Sequence, residues 1–354
     1  MTLRQKVGQL LMVGFRGLEA GPRSTIIRAV RTGCVGGVVL FDRDVALKSD
    51  RRNIRSPRQV QKLIASLQQA AAVPLLVAVD QEGGRVARLK KKHGFPEMPA
   101  ARLLGEADDP ELTRRHAAAT AEALARAGFN LNFAPVVDLD VFPENPIIGA
   151  FGRSYSADAG VVVRHARAVI EAHGERRVAC CLKHFPGHGS SRRDSHLGFT
   201  DVSDTWEPLE LEPFRALIAA GLADSVMTAH IFNRRLDPDH PATLSQGTIG
   251  GLLRQELGFA GVVISDDLDM KAISAEYDRE RALELALNAG NDILLIANNL
   301  EHDRNAAERT AAAILGLVAA GRVSEARIDE ACGRVLALKA TLSSPAPGTR
   351  GPRS

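Results

Sequence analysis

Short apolar runs alternate with longer helical stretches along the chain, and a glycine often separates the two. In "ALARAGFNLNFAPVVD" an alanine-rich stretch ends at Gly128, and an apolar run follows. Glycine just after a helix favours the left-handed conformation that other residues resist. A short β-branched apolar run predicts a strand buried on both faces. The same pattern recurs around Gly174 and again further along the chain.

The apolar runs predict eight strands, at 10–15, 36–41, 75–80, 131–137, 178–184, 225–230, 261–266 and 292–297. Eight strands that alternate with helices favour a closed parallel barrel over an open sheet. No early strand is followed by the glycine spacing of a dinucleotide site. We therefore predict an α/β protein with a single (β/α)8 TIM-type barrel over residues 1–341. The residues that follow, 342–354, have the composition of a disordered tail.

Composition narrows the function classes. The chain has 354 residues, 45% hydrophobic and 25% charged, which is ordinary for a soluble globular enzyme. A net charge of +3 gives no support for nucleic-acid binding. No segment approaches the roughly 18 apolar residues of a membrane span, and the N-terminus lacks a signal-peptide pattern. The four cysteines form no CxxC pair, which favours buried free thiols in the cytoplasm.

Polar side chains cluster at the predicted carboxyl ends of the strands, where barrel enzymes place their chemistry. They are Asp80, Asp138, Lys183, His184, His230, Asp266, Asp267 and Asn298. A single aspartate in such a place can cap the next helix, so each residue alone has a structural explanation. Their convergence from several strands on one barrel mouth favours a functional site.

The stretch "CLKHFPGHGSSRRDSHLGF", residues 181–199, has several possible roles. A metal site would use His184, His188, Asp194 and His196, but Pro186 and Gly187 separate the first two histidines and prevent a shared helical face. A phosphate loop is disfavoured because no GK[ST] ending follows the glycines.

An acid–base role fits the stretch better. In an extended loop, Asp194 and His196 face the same side, so the carboxylate can orient the imidazole. Histidine titrates near neutrality, as a group that both donates and accepts a proton requires. An ordinary surface Asp–His pair remains the alternative. Gly187 and Gly189 are expected to let the loop swing.

The motifs "KHFPGHG", "DSH", "AVDQEGGRVARL" and "VVISDDLDMKAI" together resemble the bacterial β-N-acetylhexosaminidases of glycoside hydrolase family 3. "FAPVVDLD", "NPIIG", "HPATLS" and "AGNDILL" add to the resemblance, which extends from about residue 5 to residue 340. It implies a barrel, a retaining two-step hydrolysis, and no metal or organic cofactor.

The resemblance also implies roles for individual residues. Asp266 corresponds to the nucleophile, and His196, paired with Asp194, corresponds to the acid/base. The substrate-binding positions are Asp80, Arg88, Arg153, Lys183 and His184. A retaining glycosidase needs an ionised carboxylate below the anomeric carbon, and we expect Lys183 and Arg88 to keep Asp266 charged.

Some local features depart from the family pattern. Ser190-Ser191 replaces the usual Asp-Thr, and Ala150-Phe151-Gly152 lengthens the loop before "RSY". These differences put the leaving-group preference in doubt rather than the reaction. The arginine-rich stretch 41–60 could meet an acidic cell-wall fragment, although a solvated loop of mixed charge is favoured.

The sequence thus predicts a cytoplasmic exo-β-N-acetylglucosaminidase that acts on an N-acetylglucosamine-containing saccharide or muropeptide during cell-wall recycling, with a monomer favoured and no nucleic-acid or membrane partner. The alternatives are a family 3 β-glucosidase-like exoglycosidase, a metal-dependent barrel hydrolase and a catalytically inactive sugar-binding protein. Loss of activity on chelation would identify the metal enzyme. The filled catalytic positions argue against the inactive protein.

Overall fold

Parallel strand pairing runs around the molecule in sequence order and closes on itself. The computed structural model describes residues 1–195 and 198–343. Its strands are β1 Leu11–Gly14, β2 Gly37–Val39, β3 Leu76–Val79, β4 Gln81–Gly83, β5 Val86–Ala87, β6 Leu131–Asn132, β7 Ala179–Phe185, β8 Ser225–Thr228, β9 Val262–Ser265 and β10 Leu294–Ile296. β10 pairs with β1, and a bridge between Ile264 and Ile293 closes the ring. The predicted (β/α)8 barrel is confirmed.

Helices connect successive barrel strands and cover the outside. They are α1 Leu3–Gln9, α2 Thr25–Arg31, α3 Pro57–Ala70, α4 Ala101–Ala107, α5 Pro110–Ala127, α6 Ala159–Gly174, α7 Glu212–Ala219, α8 Lys271–Ser274, α9 Arg279–Ala289, α10 Ala306–Ala319 and α11 Glu325–Ser343. A π-helical segment, Gly247–Glu256, takes the place of a regular helix between β8 and β9. Short 3₁₀ turns lie at Lys91–His93, Gly149–Phe151, Pro208–Leu211 and Ala242–Leu244. Strands β4 and β5 form a small antiparallel hairpin outside the barrel.

All eight predicted barrel strands are present, because each apolar run is buried on both faces. One face of each strand packs inside the barrel and the other packs under the helices. Adjacent Cys180 and Cys181 show this alternation: Cys181 belongs to the cluster inside the barrel, and Cys180 belongs to the layer below the helices. Both thiols are free and buried, as predicted.

Glycine terminates some of the helices as predicted. α5 ends at Gly128 with φ 97°, and α9 ends at Gly290 with φ 117°. The prediction for Gly174 is wrong, because this glycine is the last residue of α6 and the left-handed turn falls on Arg177, with φ 55°. The chain makes the turn three residues later than the glycine suggests.

The arginine-rich stretch 41–60 is only partly a solvated loop. The side chain of Arg52 is fully buried, and it donates to Asp44 at 3.0 Å and to Asn299 Oδ1 at 2.8 Å. It also donates to the backbone oxygen of Asn298 at 2.7 Å. Arg52 therefore ties the loop after β2 to the loop after β10, and the prediction of a solvated loop is wrong for this residue.

The last helix closes the end of the barrel opposite the strand carboxyl ends. Val335 and Leu338 of α11 pack into the cluster inside the barrel. Lys339 is buried there, and its Nζ donates to Gln9 Oε1 at 2.5 Å and to the Gly36 oxygen at 2.8 Å. Burial lowers the pKa of Lys339 to about 7. The predicted tail begins within this helix, and residues 344–354 lie outside the described part of the chain.

Within the described ranges, no helix combines the length and apolar character needed to cross a bilayer.

Candidate active site

A cavity of about 430 Å³ lies at the carboxyl ends of the barrel strands. Seven of the eight residues predicted for the site line it: Asp80, Arg88, Arg153, Lys183, His184, Asp194 and Asp266. The eighth, His196, lies outside the described residues. The parallel order of the strands explains this convergence, because every strand delivers its last residues to the same rim.

Two cations and two carboxylates, all mostly shielded from solvent, form a network on one wall of the cavity. Lys183 Nζ, on β7, lies 2.9 Å from Asp80 Oδ1 and 2.6 Å from Glu82 Oε1. Arg153 donates to both oxygens of Glu82, from Nε and Nη2, at 2.7 Å each. The two-bond geometry fixes the plane of the guanidinium as well as its position.

The charges in this network stabilise one another. Burial opposes ionisation of Glu82, but Arg153 and Lys183 outweigh it and lower the pKa of Glu82 to about 2. Burial also opposes the charge of Lys183, but Asp80 and Glu82 raise the pKa of its ammonium group above the ordinary value. All four groups therefore stay charged at neutral pH, and they present fixed donors and acceptors to a ligand.

The two cations expected to keep Asp266 ionised also pair with other carboxylates. Arg88 lies 3.5 Å from Asp80 Oδ2, and Lys183 pairs with Asp80 and Glu82. Their effect on the ionisation of Asp266 stays a prediction. These cations support Asp80, whose carboxylate oxygens are suited to accept hydrogen bonds from hydroxyl groups of a ligand.

His184 is held in one tautomer by two neighbours. Arg153 Nη2 lies 3.2 Å from His184 Nε2, and because arginine only donates, Nε2 accepts. The proton is then on Nδ1, which donates to Asp138 Oδ2 at 2.6 Å. Asp138 also accepts from the backbone nitrogen of His188 at 2.8 Å. Asp138, which could have capped a helix, instead orients the His184 ring and the turn that follows.

The chain segment after β7, which we call the histidine loop (residues 186–199), is clamped at its start. Asn145 Nδ2 donates to the oxygens of His188 and Gly189 at 2.7 and 2.9 Å. Glu210 Oε2 accepts from the nitrogens of Gly189 and Ser190 at 2.9 and 3.3 Å. Trp206 Nε1 donates to the Pro186 oxygen at 3.0 Å.

The two glycines of the loop allow the close packing of this clamp. A Cβ at Gly189 would lie 1.9 Å from the Leu139 oxygen, and a Cβ at Gly187 would lie 2.6 Å from the Glu210 Cβ. Gly187 also has a φ of 115°, which strains other residues. Close packing thus explains glycine at both positions, and the swing of the loop stays a prediction.

His188 links the clamped start of the loop to its predicted catalytic part. Its Nε2 lies 3.2 Å from Ser195 Oγ, and burial together with nearby His184 lowers the pKa of its imidazole to about 4. A neutral ring at this place orients Ser195 without adding charge. Ser195 lies between Asp194 and His196 in the chain, so this contact fixes the backbone beside the predicted acid/base.

The two adjacent aspartates after β9 have different surroundings. Asp267 is buried, and its Oδ1 accepts from the nitrogens of Ala297 and Asp269 at 2.8 and 3.2 Å. Burial and the charge of Asp269 raise the pKa of Asp267 to about 8. Both aspartates line the cavity, but Asp266 is partly exposed whereas Asp267 is buried. Of the two, Asp266 presents the more accessible carboxylate to the cavity.

Residues 2–338 match the family model described as the glycosyl hydrolase family 3 N-terminal domain. The chain belongs to glycosyl hydrolase family 3. A β-hexosaminidase of Tolumonas auensis is 37% identical over 294 residues, which are 82% of this chain and 83% of that protein.

Solved family 3 structures show the same fold. A β-N-acetylglucosaminidase from a Paenibacillus species matches with a TM-score of 0.88 and 41% identity, over 99% of this chain and 65% of that one. The chain thus spans about two thirds of that longer relative. A β-N-acetylhexosaminidase from Beutenbergia cavernae matches with a TM-score of 0.83 and 34% identity, over 96% of this chain and 99% of that one. The family assignment makes this chain a glycoside hydrolase.

The family 3 site includes residues that the sequence did not assign. Glu82 was part of a quoted motif, but its pairing with Arg153 joins positions far apart in the chain. Glu210 and Asn145 act on backbone groups of the histidine loop, and only three-dimensional packing brings them there. Glu210 left no signal in the sequence, because it follows the alternation of its neighbours in "EPLELEPF".

Proposed function

We propose that this family 3 hydrolase removes terminal β-linked N-acetylglucosamine by a retaining, two-step mechanism. Asp266 is the nucleophile and His196 is the acid/base, oriented by Asp194. The observation that carries the proposal is the cavity in which Asp266 and Asp194 face the charged network of Asp80, Lys183 and its neighbours. The β-hexosaminidase and β-N-acetylglucosaminidase names of the relatives support the choice of sugar.

In the first step, a carboxylate oxygen of Asp266 attacks the anomeric carbon while the bond to the leaving oxygen breaks. The imidazolium of His196 gives that oxygen its proton, so the leaving group departs as a neutral alcohol. In the second step, neutral His196 takes a proton from water, and the resulting oxygen attacks the same carbon. The bond to Asp266 breaks, and the sugar leaves with its original configuration.

The network on the cavity wall binds the sugar in this scheme. Asp80 accepts hydrogen bonds from sugar hydroxyls, and His184, Arg88 and Arg153 complete a binding cradle of fixed geometry. Preorganised donors and acceptors cost no reorganisation as charge develops in the transition state. A histidine acid/base beside the nucleophile also avoids a second negative charge close to Asp266.

The biological substrate we propose is a muropeptide from the cell wall, cleaved in the cytoplasm without a metal or organic cofactor. The exposed arginines near the mouth, such as Arg43 and Arg85, suit a fragment that carries carboxylates.

One assay tests the activity and its alternatives. Purified enzyme should release p-nitrophenol from the β-N-acetylglucosaminide much faster than from the β-glucoside, and chelation with EDTA should not change the rate. Preference for the glucoside would favour the β-glucosidase-like alternative. Loss of activity with EDTA, restored by added metal, would favour the metal-dependent hydrolase.

A further inference from the structure

A buried histidine lies behind the wall of the active-site cavity, two residues after strand β8. His230 is one of the polar residues that follow the barrel strands in the sequence. Only 1% of its surface is exposed, and it is not among the described residues that line the cavity. Because the ring nitrogens are polar, a buried histidine acts through the groups to which it is hydrogen-bonded. The partners of His230 therefore indicate its role.

Both ring nitrogens of His230 have a partner. Nε2 lies 2.9 Å from the backbone oxygen of Asp267, and because a carbonyl oxygen only accepts, Nε2 donates. Nδ1 lies 2.8 Å from Thr243 Oγ1, which is itself 2.8 Å from the Ala229 oxygen. The Thr243 hydroxyl thus fixes the ring from the far side. The ring is held in one orientation, with its Nε2–H directed at the backbone of Asp267.

The backbone that His230 contacts is adjacent to the proposed nucleophile. The Asp267 nitrogen donates to Asp266 Oδ1 at 2.8 Å, so the orientation of the Asp266 carboxylate depends on the backbone of Asp267. On the side of β10, Asp267 Oδ1 accepts from the Ala297 nitrogen at 2.8 Å. His230 holds the same residue from the side of β8. Asp267 is therefore fixed from both neighbouring strands of the barrel.

We propose that His230 is a positioning residue for the nucleophile. Its Nε2–H fixes the Asp267 backbone, whose own N–H orients the Asp266 carboxylate. A carboxylate that is held at one oxygen presents the other in a set direction for attack on the anomeric carbon. This role rests on the proposed function, because Asp266 must be the nucleophile. A displacement of about 1 Å at a reacting group can cost a hundredfold in rate, so a hydrogen bond behind the site can control the chemical step.

A fluorinated glycosyl fluoride with a 2-acetamido group isolates the attack by Asp266. The carboxylate oxygen bonds to the anomeric carbon while the carbon–fluorine bond breaks, and fluoride leaves without a proton from His196. The rate constant of inactivation at saturation reports the attack, and the half-saturating concentration reports binding. We would measure both for the wild type and for His230→Leu, His230→Gln and Thr243→Val.

His230→Leu should lower the rate constant of inactivation by roughly tenfold to a hundredfold, with little change in the half-saturating concentration. Glutamine can place an amide N–H near the position of Nε2, so His230→Gln should recover part of this loss. Thr243→Val keeps the ring but removes its partner at Nδ1, and it should lower the rate constant by roughly twofold to tenfold.

His165→Leu is the matched control. His165 is also buried, and its Nδ1 lies 2.7 Å from a threonine hydroxyl, Thr113 Oγ1, but it belongs to α6 on the outside of the barrel. This variant should lose stability to urea without a change in the rate constant of inactivation. Urea denaturation also shows which variants are folded under the assay conditions.

The outcomes distinguish the two proposals. A wild type that is not labelled at Asp266 contradicts the proposed function. Labelling at Asp266, with the wild-type rate constant in folded His230→Leu, overturns the positioning role alone. Equal losses in His230→Leu and His230→Gln, or a loss confined to binding, also overturn it. If His230→Leu does not fold, the rate constant of Thr243→Val decides, and an unchanged value overturns the positioning role.

Discussion

Glu210 Oε2 lies 2.9 Å from the backbone nitrogen of Gly189, so a buried carboxylate holds the turn that leads into the histidine loop. Burial raises the pKa of Glu210 to about 7, and the charge of Asp138 adds to the effect. The carboxyl group is therefore neutral below pH 7 and ionised above it. Its hydrogen bonds to the loop become stronger when it is ionised, because a charged acceptor binds N–H groups more tightly.

Glu210→Gln should distinguish the effects of the neutral and the ionised Glu210 carboxyl group on catalysis. The variant keeps a neutral acceptor at all pH values, so its kcat/KM should approach that of the wild type near pH 5.5. At pH 8 the wild type should be about fivefold faster, as a difference of about 1 kcal/mol between charged and neutral hydrogen bonds implies. The measurement is the ratio of the two pH profiles, with exposed Glu207→Gln as the control. A ratio that does not change with pH would show that Glu210 only fills space.

Asp266→Ala should abolish turnover while the folded state persists, because the covalent bond of the proposed mechanism forms on this carboxylate. A fluorinated glycosyl inhibitor that traps the intermediate should label a peptide of the wild type at Asp266, identified by mass spectrometry. Asp267→Asn should still be labelled, since the hydrogen bonds that Asp267 accepts come from backbone N–H groups. Label found on Asp267 in the wild type would reverse the roles of the two aspartates.

His196→Ala tests the proton donor by varying the leaving group. Dinitrophenolate departs without protonation, whereas a sugar alcohol does not. The variant should lose far more glycosylation rate on a disaccharide than on the dinitrophenyl glycoside. Asp194→Ala should show a weaker form of the same pattern, because the ring remains but loses its orienting carboxylate.

Added azide should restore deglycosylation in His196→Ala, because it attacks without help from a base. Single-turnover kinetics separate the two steps. Equal losses of glycosylation rate on both substrates would contradict the donor role and make the histidine loop a binding element.

The barrel could be predicted because a parallel strand that is buried on both faces appears in the sequence as a continuous apolar run. Eight such runs that alternate with helices are compatible with few folds. The proximity of Asp80 and Asp266 could also be predicted, because parallel strands place their carboxyl ends at one rim of the barrel. The sequence did not predict Glu210 or Arg52, because their partners are mostly backbone groups of distant loops, which leave no spacing signal. The left-handed turn at Arg177, three residues after the end of α6, was missed because it falls on a residue type that rarely adopts this conformation.

Lys339, at the closed end of the barrel, should make stability depend on pH. Burial lowers its pKa from 10.5 to about 7 in the folded state, where its partners are the neutral oxygens of Gln9 and Gly36. Between these two pKa values the unfolded chain binds a proton that the folded chain does not. The free energy of unfolding therefore rises with pH across this window, by up to about 1.4 kcal/mol per pH unit.

Lys339→Met removes this titration. The pH dependence contributed by all other titrating groups cancels when the variant is compared with the wild type. From pH 7 to pH 9 the wild type should gain about 2 kcal/mol of unfolding free energy relative to Lys339→Met, measured by urea denaturation. Lys62→Met, on the exposed face of α3, should follow the wild type at every pH. If the curves for wild type and Lys339→Met run parallel, then Lys339 is protonated in the folded protein throughout this range. The barrel would then hold a charged ammonium group on uncharged oxygens alone.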